Sequence, residues 1–281
     1  LNRAKLVFRS NGLPVLTSDH NLDDLTLQPV MNAFQRDPMR PAKPLTVATL
    51  ATSQNGGRRL ETGNAVRGLV LDAPGLLFDD SLWRRWLLKL LTHMGLHTHY
   101  DVFYRTWDYE FASDVQAGRC KWHDALAKFL LSAGLSHAQI DEIIPALRAQ
   151  RKQFESNLRP MPGVVETLQS LRQQQFRIAF AADTTSTVAE LVGQLDRLGL
   201  YSSSDSVISS IDIGHAMPEA AAYIAALIVL DLRPDEVAFV SSLPVHLIGA
   251  KRFGMNVVAV DCELVAEADV HFEQFSQLIH C

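Results

Sequence analysis

Between Val66 and Phe78 the chain reads VRGLVLDAPGLLF: a short apolar run, Leu69-Val70-Leu71, ends on one carboxylate, Asp72, and a Pro74-Gly75 break follows. A run this short, bounded by a turn signal, predicts a buried parallel strand, and ligands of open α/β sheets collect at the carboxyl ends of such strands. Asp72 is thus the first candidate for chemistry. The pattern then turns helical. Ser81 can cap a run of helical spacing from Leu82 to Leu91, and 100–115, 122–133 and 136–157 read as amphipathic helices separated by Gly118 and Gly134. So long a helical stretch predicts an inserted cap, because one helix suffices for a βαβ crossover.

From Met161 strand and helix alternate. Pro162-Gly163 opens a helix over 164–174, RIAFAA over 177–182 is a strand, and Asp183-Thr184-Thr185-Ser186 caps a helix over 187–198. Further strands are predicted at 206–210, 236–240 and 256–260, with helices at 219–230, started by Pro218, and 244–253. Repeated βα units imply a doubly wound parallel sheet with right-handed crossovers, a Rossmann-like α/β fold. The expected organisation is an α/β core from 66–78 and 158–281, a helical cap over 79–157, and a poorly ordered extension over 1–65. That extension has scattered Pro, Asn, Gln, Ser and Gly, and a flexible joint at Asn55-Gly56-Gly57-Arg58-Arg59.

Composition narrows the classes. With 47% hydrophobic and 20% charged residues the 281-residue chain reads as globular, which excludes membrane and disordered classes. A net charge of −5 gives no basic footprint for nucleic acid. Cys120, Cys262 and Cys281 are far apart in no metal-like spacing, so reduced thiols and a cytoplasmic location are expected; His97-Thr98-His99 reads as a solvated loop.

The order of these elements resembles the haloacid dehalogenase superfamily over about residues 66–281, a Rossmann-like hydrolase fold with a helical cap inserted after the first strand. The phrases that carry the likeness are LVLDAPGLL, LRPMPGVVETLQSLRQQQFRIAF, IGHAMPEAAAY and VAFVSSLPVHLIGAKRFGMNVVAV. In the family's phosphatases the first strand ends in Asp-x-Asp, nucleophile and general acid. Here Asp72 keeps the first place, but Pro74 takes the second and can neither move a proton nor ligate Mg²⁺. The second motif has Ala182 in place of Ser or Thr, with Asp183 beside it. The third has Met217-Pro218 in place of Lys-Pro, which removes a cation. The resemblance therefore implies no cofactor, the Mg²⁺ site being lost.

The fourth motif is similar to the 2-haloacid dehalogenase branch: Val240-Ser241-Ser242, then Gly249-Ala250 seven residues beyond Ser242. Those enzymes need no metal; an Asp displaces halide and the resulting ester is hydrolysed. Tyr223, six after Met217, and Arg105 in YRTWDYEF match further positions, Arg105 as a contact for halide or carboxylate. Leu243 and His246 fall where that branch has the Asn and Asp that activate water, and Leu76 replaces a threonine. His246 reads either as a substitute base or as a packing residue, and Asp72 either as a nucleophile or as a cap on its turn. Without the lysine, Arg105 or Lys251 would have to balance Asp72.

Two functions follow. The one the substitutions favour is a protein without phosphatase or dehalogenase activity that acts as a binding or interaction module for a small anionic ligand or a protein partner. The alternative is a metal-independent hydrolase with Asp72 as nucleophile and Arg105, Asp183, Tyr223, Ser241, Ser242 and His246 around the substrate. A dry, apolar surround for Asp72 favours the first and convergent donors the second. The helix carrying Trp83 and Trp86 fits either a homodimer contact or a buried cap core.

Overall fold

The computed structural model describes residues 6–8, 14–16, 66–262 and 265–280. Strands β1 (Leu6–Phe8) and β2 (Pro14–Leu16) pair antiparallel. The rest of 1–65, including the expected joint at 55–59, lies outside the described residues.

The core is a six-stranded parallel sheet in the order β5-β4-β3-β6-β7-β8. Its strands are β3 (Gly68–Asp72), β4 (Arg177–Ala182), β5 (Ser206–Ser209), β6 (Val237–Ser241), β7 (Asn256–Val260) and β8 (Val270–Phe272). The chain winds outward from β3 through β4 to β5, then crosses to β6 on the other side. β3 is therefore central, beside the switch in winding direction, where doubly wound sheets open a crevice.

Between β3 and β4 lie α1 (Leu82–His93), α2 (Tyr100–Trp107), α3 (Ser113–Gln116), α4 (Trp122–Ser132), α5 (His137–Ser156) and α6 (Val164–Gln173). The helix expected over 100–115 forms, with a π-helical stretch at Asp108–Ala112 between α2 and α3. After β4 come α7 (Val188–Arg197), the short α8 (Ser210–Ile213), α9 (Ala220–Leu230) and α10 (Pro244–Arg252). Capping boxes open α5 at Ser136 and α7 at Thr187, so Thr187 rather than Asp183 caps α7, and Asp183 is left for other work.

Strand alternation divides the core into two layers. Leu69, Leu71, Phe180 and Val240 face α6 and α7 with Leu168, Leu171, Leu191 and Leu195. Val70, Val237 and Phe239 face α9 and α10 with Tyr223, Ala226, Leu230, Leu247 and Ala250. Each fully buried aliphatic side chain contributes about 2 kcal/mol. The same period of two sends Asp72, two after Val70, and Ser241, two after Phe239, toward α10. Residues of α1, α2, α4 and α5 form a separate cluster around Leu87, Phe103, Trp107, Leu126, Phe129 and Leu147, which is the helical cap. In it Trp83 packs edge-on against Trp122 and Tyr104.

Candidate active site

β3 ends on Asp72, which is 2% exposed, and the turn that follows holds Pro74 at ψ 137° and Gly75 at φ 77°, a conformation natural to glycine. Two donors converge on a single oxygen of this carboxylate. Ser241 Oγ donates to Asp72 Oδ2 at 2.6 Å, and His246 Nδ1 donates to the same atom at 2.8 Å. Ser241 is itself aimed by Leu243 N, which donates to its Oγ at 2.9 Å. The other carboxylate oxygen, Oδ1, accepts no hydrogen bond from a described residue.

The opposite side of the His246 ring meets a second acid. Nε2 lies 3.6 Å from Asp183 Oδ2, and Met217 N donates to both Asp183 oxygens at 3.0 and 3.1 Å. The imidazole thus stands between two carboxylates. Burial pushes its pKa down, but the charge of Asp72, its hydrogen bond and the charge of Asp183 outweigh that and the net shift is upward. Burial is the main cause that pushes Asp183 up to about 7, with the Asp72 charge adding to it and His246 opposing. An acid and a base with displaced proton affinities, packed against a second acid in one crevice, mark a functional site.

Tyr223 and Gly249 aim the histidine. Tyr223, expected to touch substrate, is buried beneath α10, and its hydroxyl donates to the His246 backbone oxygen at 2.8 Å. It is a positioning residue. α10 approaches it so closely that a Cβ on Gly249 would sit 2.8 Å from Pro218 Cβ and nearer still to the Tyr223 hydroxyl. The dehalogenase-like spacing of Tyr223 and Gly249 therefore encodes a close approach of two helices.

Between cap and core lies a cavity of about 120 Å³, walled on the core side by Pro74, Ala182, Asp183, Thr184 and Thr185 and on the cap side by Trp83, Arg84, Trp122 and Arg151. Arg105 corrects the sequence expectation: it is exposed on α2 and takes no part in the wall. The wall's cations are Arg84 and Arg151. Arg84 pairs with Asp108 at 3.0 Å. Arg151 spans the crevice, its Nε bound to Glu155 at 2.8 Å and its NH2 donating to Thr185 Oγ1 at 2.7 Å, while its guanidinium lies 4.6 Å over the Trp122 ring. Lys251, the other expected counter-charge, is taken by Asp269. Ser242 is half-buried near Gly75.

Hard cations need several oxygen ligands; the Pro74 side chain supplies none, and Asp72 Oδ2 already accepts two donors. Among the described residues no group of three or more His, Cys, Asp or Glu side chains is placed to hold a metal ion. No helix among them is long and apolar enough to cross a membrane.

The family described as haloacid dehalogenase-like hydrolase matches residues 66–254, the stretch that contains Asp72, Asp183, Ser241 and His246. The chain belongs to the haloacid dehalogenase-like hydrolases. It is 31% identical to a ribulose-1,5-bisphosphate 5-phosphatase of Halopiger xanaduensis over 102 residues, 36% of this chain and 42% of that one. The chain spans less than half the length of the first curated relatives it matches. Among solved structures it resembles an L-2-haloacid dehalogenase of Xanthobacter autotrophicus, with TM-score 0.56 and 21% identity over 76% of this chain and 97% of that one. A putative β-phosphoglucomutase of Thermotoga maritima gives TM-score 0.57 and 17% identity with the same coverage. These likenesses establish a haloacid dehalogenase-like fold.

Proposed function

We propose that the chain is a metal-independent hydrolase of this family in which Asp72 attacks carbon in a small organic acid bearing a leaving group, a 2-haloacid being the simplest representative. The observation that carries this reading is the convergence of Ser241 and His246 on Asp72 Oδ2, with Oδ1 unbonded. A single cation, His246, takes the charge-balancing role of the lysine that Met217 replaces. Halide leaves without a proton, so the loss of a general acid at Pro74 does not impede displacement at carbon. It would impede phosphate-ester cleavage, whose leaving oxygen must be protonated and whose charge calls for more cations. Arg84 and Arg151, on the cavity wall, are placed to receive the substrate carboxylate.

In the first step a lone pair on Asp72 Oδ1 forms a bond to the substrate carbon as the carbon–halogen pair departs with halide. The resulting ester is then hydrolysed by water. The test is chloride release from 2-chloropropionate with and without chelator, in the native chain and in Asp72→Asn. Release that survives chelation and vanishes in the variant is expected; release that requires Mg²⁺, or that persists in the variant, contradicts the proposal.

A second reading, the binding module, rests on one observation. Asp72 is 2% exposed and is not itself part of the cavity wall. Absence of any turnover, together with a ligand retained in the cavity, would favour it.

A further inference from the structure

We infer that Asp183, beside the position where the family's second motif has Ser or Thr, is the base that activates water to free the product from Asp72. This assignment rests on Asp72 being the nucleophile. The family pattern would look for a water-activating acid at the position of His246, but there Nδ1 is hydrogen-bonded to Asp72, Nε2 faces Asp183 at 3.6 Å, and the ring is not part of the cavity wall. Asp183 does line the cavity, with its side chain 9% exposed. Met217 N, held by the turn before α9, fixes both carboxylate oxygens. An acid that borders the substrate space and is coupled through one imidazole to the nucleophile is the group that water in that space would meet.

Asp183 takes a proton from water as the water oxygen bonds to Cγ of the Asp72 ester. The tetrahedral intermediate collapses, the bond from Cγ to the product oxygen breaks, and the departing oxygen takes the proton back from Asp183. Asp72 is left as an acid, now carrying one oxygen from water, and loses its proton to solvent. The groups facing Asp183 are His246 on α10, Asp72 on β3 and Glu219 ahead of α9, with Arg84 and Arg151 across the cavity. Its proton affinity near neutrality suits a base that must load and unload within one cycle.

The experiment compares native chain, Asp183→Asn and Asp183→Glu on 2-chloropropionate, following chloride, lactate and intact protein mass across pH. The native chain should show turnover rising with pH through about 7 as Asp183 ionises. Asp183→Asn should release one chloride per molecule, keep the ester, and lose steady-state turnover by a factor on the order of 10² or more. Asp183→Glu should retain turnover and an acid limb. Asp183→Asn that turns over with the native pH profile overturns the assignment and leaves Asp72 untouched. A native chain that neither releases chloride nor forms the ester overturns the Asp72 reading and this assignment with it.

Discussion

The His246 imidazole sits between two buried acids, its Nδ1 hydrogen-bonded to Asp72 at 2.8 Å and its Nε2 3.6 Å from Asp183, and their charges favour its protonated form. Taking it away leaves Asp72 with Ser241 and Asp183 with the Met217 N–H, each without its cationic neighbour. His246→Ala is expected to cost about 3–5 kcal/mol, the range for breaking a buried charge pair by removing one partner, seen as a lower urea midpoint at unchanged slope. His246→Asn, which keeps a donor, should cost less. The pH dependence has a definite sign. The pKa of Asp183 rises from 3.8 to about 7 on folding and that of His246 also rises, so the folded state binds more protons than the unfolded one. Stability should fall as pH climbs through about 7, contrary to the usual carboxylate behaviour, and Asp183→Asn should flatten that slope in pH-resolved denaturation. Asp72 and Ser241 could be placed from sequence, because an apolar run and a motif spacing fix a strand end. The partnership of His246 with two acids could not, since the acids lie 174 and 63 positions away in sequence and only the sheet order brings them together. Arg105 misled for a related reason: helical spacing alone does not say which face of the cap borders the crevice, and Arg84 and Arg151 take the wall instead.

At the scale of elements, α9 and α10 act as a pair. Tyr223 on α9 holds the His246 carbonyl, and Gly249 on α10 leaves room for the ring. Gly249→Ala must push the helices apart and should cost about 1–3 kcal/mol by thermal or denaturant unfolding, with a loss of turnover larger than that of Tyr223→Phe. Tyr223→Phe removes one buried hydrogen bond, about 1 kcal/mol, and leaves the fit unchanged. The sheet was largely legible: β4 and β7 coincide with the runs read from the sequence, and β3 and β6 lie within a residue or two of them. The edge strand β8 and the short α8 were not seen, because VHF and SIDI lack the length and periodicity that mark an element before its neighbours are known.

For the whole molecule, the switch of winding beside β3 opens the crevice and the cap closes it. Three contacts tie the two parts beside Asp183. Arg151 binds Thr185, Gln116 Nε2 donates to the Asp183 backbone oxygen at 3.4 Å, and Ser210 Oγ donates to the Gln116 oxygen at 2.8 Å. Arg151→Lys keeps the charge but loses the fork that joins Glu155 and Thr185, so KM for a haloacid should rise on the order of tenfold with a smaller change in kcat. The claim on which the account depends is that water's oxygen enters the protein before it enters the product. The measurement is a single turnover of excess enzyme on 2-chloropropionate in heavy-oxygen water, followed by mass analysis of the peptide containing Asp72. Label in the Asp72 carboxyl and none in the first-turnover lactate hydroxyl is the predicted result, and label in the hydroxyl with an unlabelled Asp72 would contradict it.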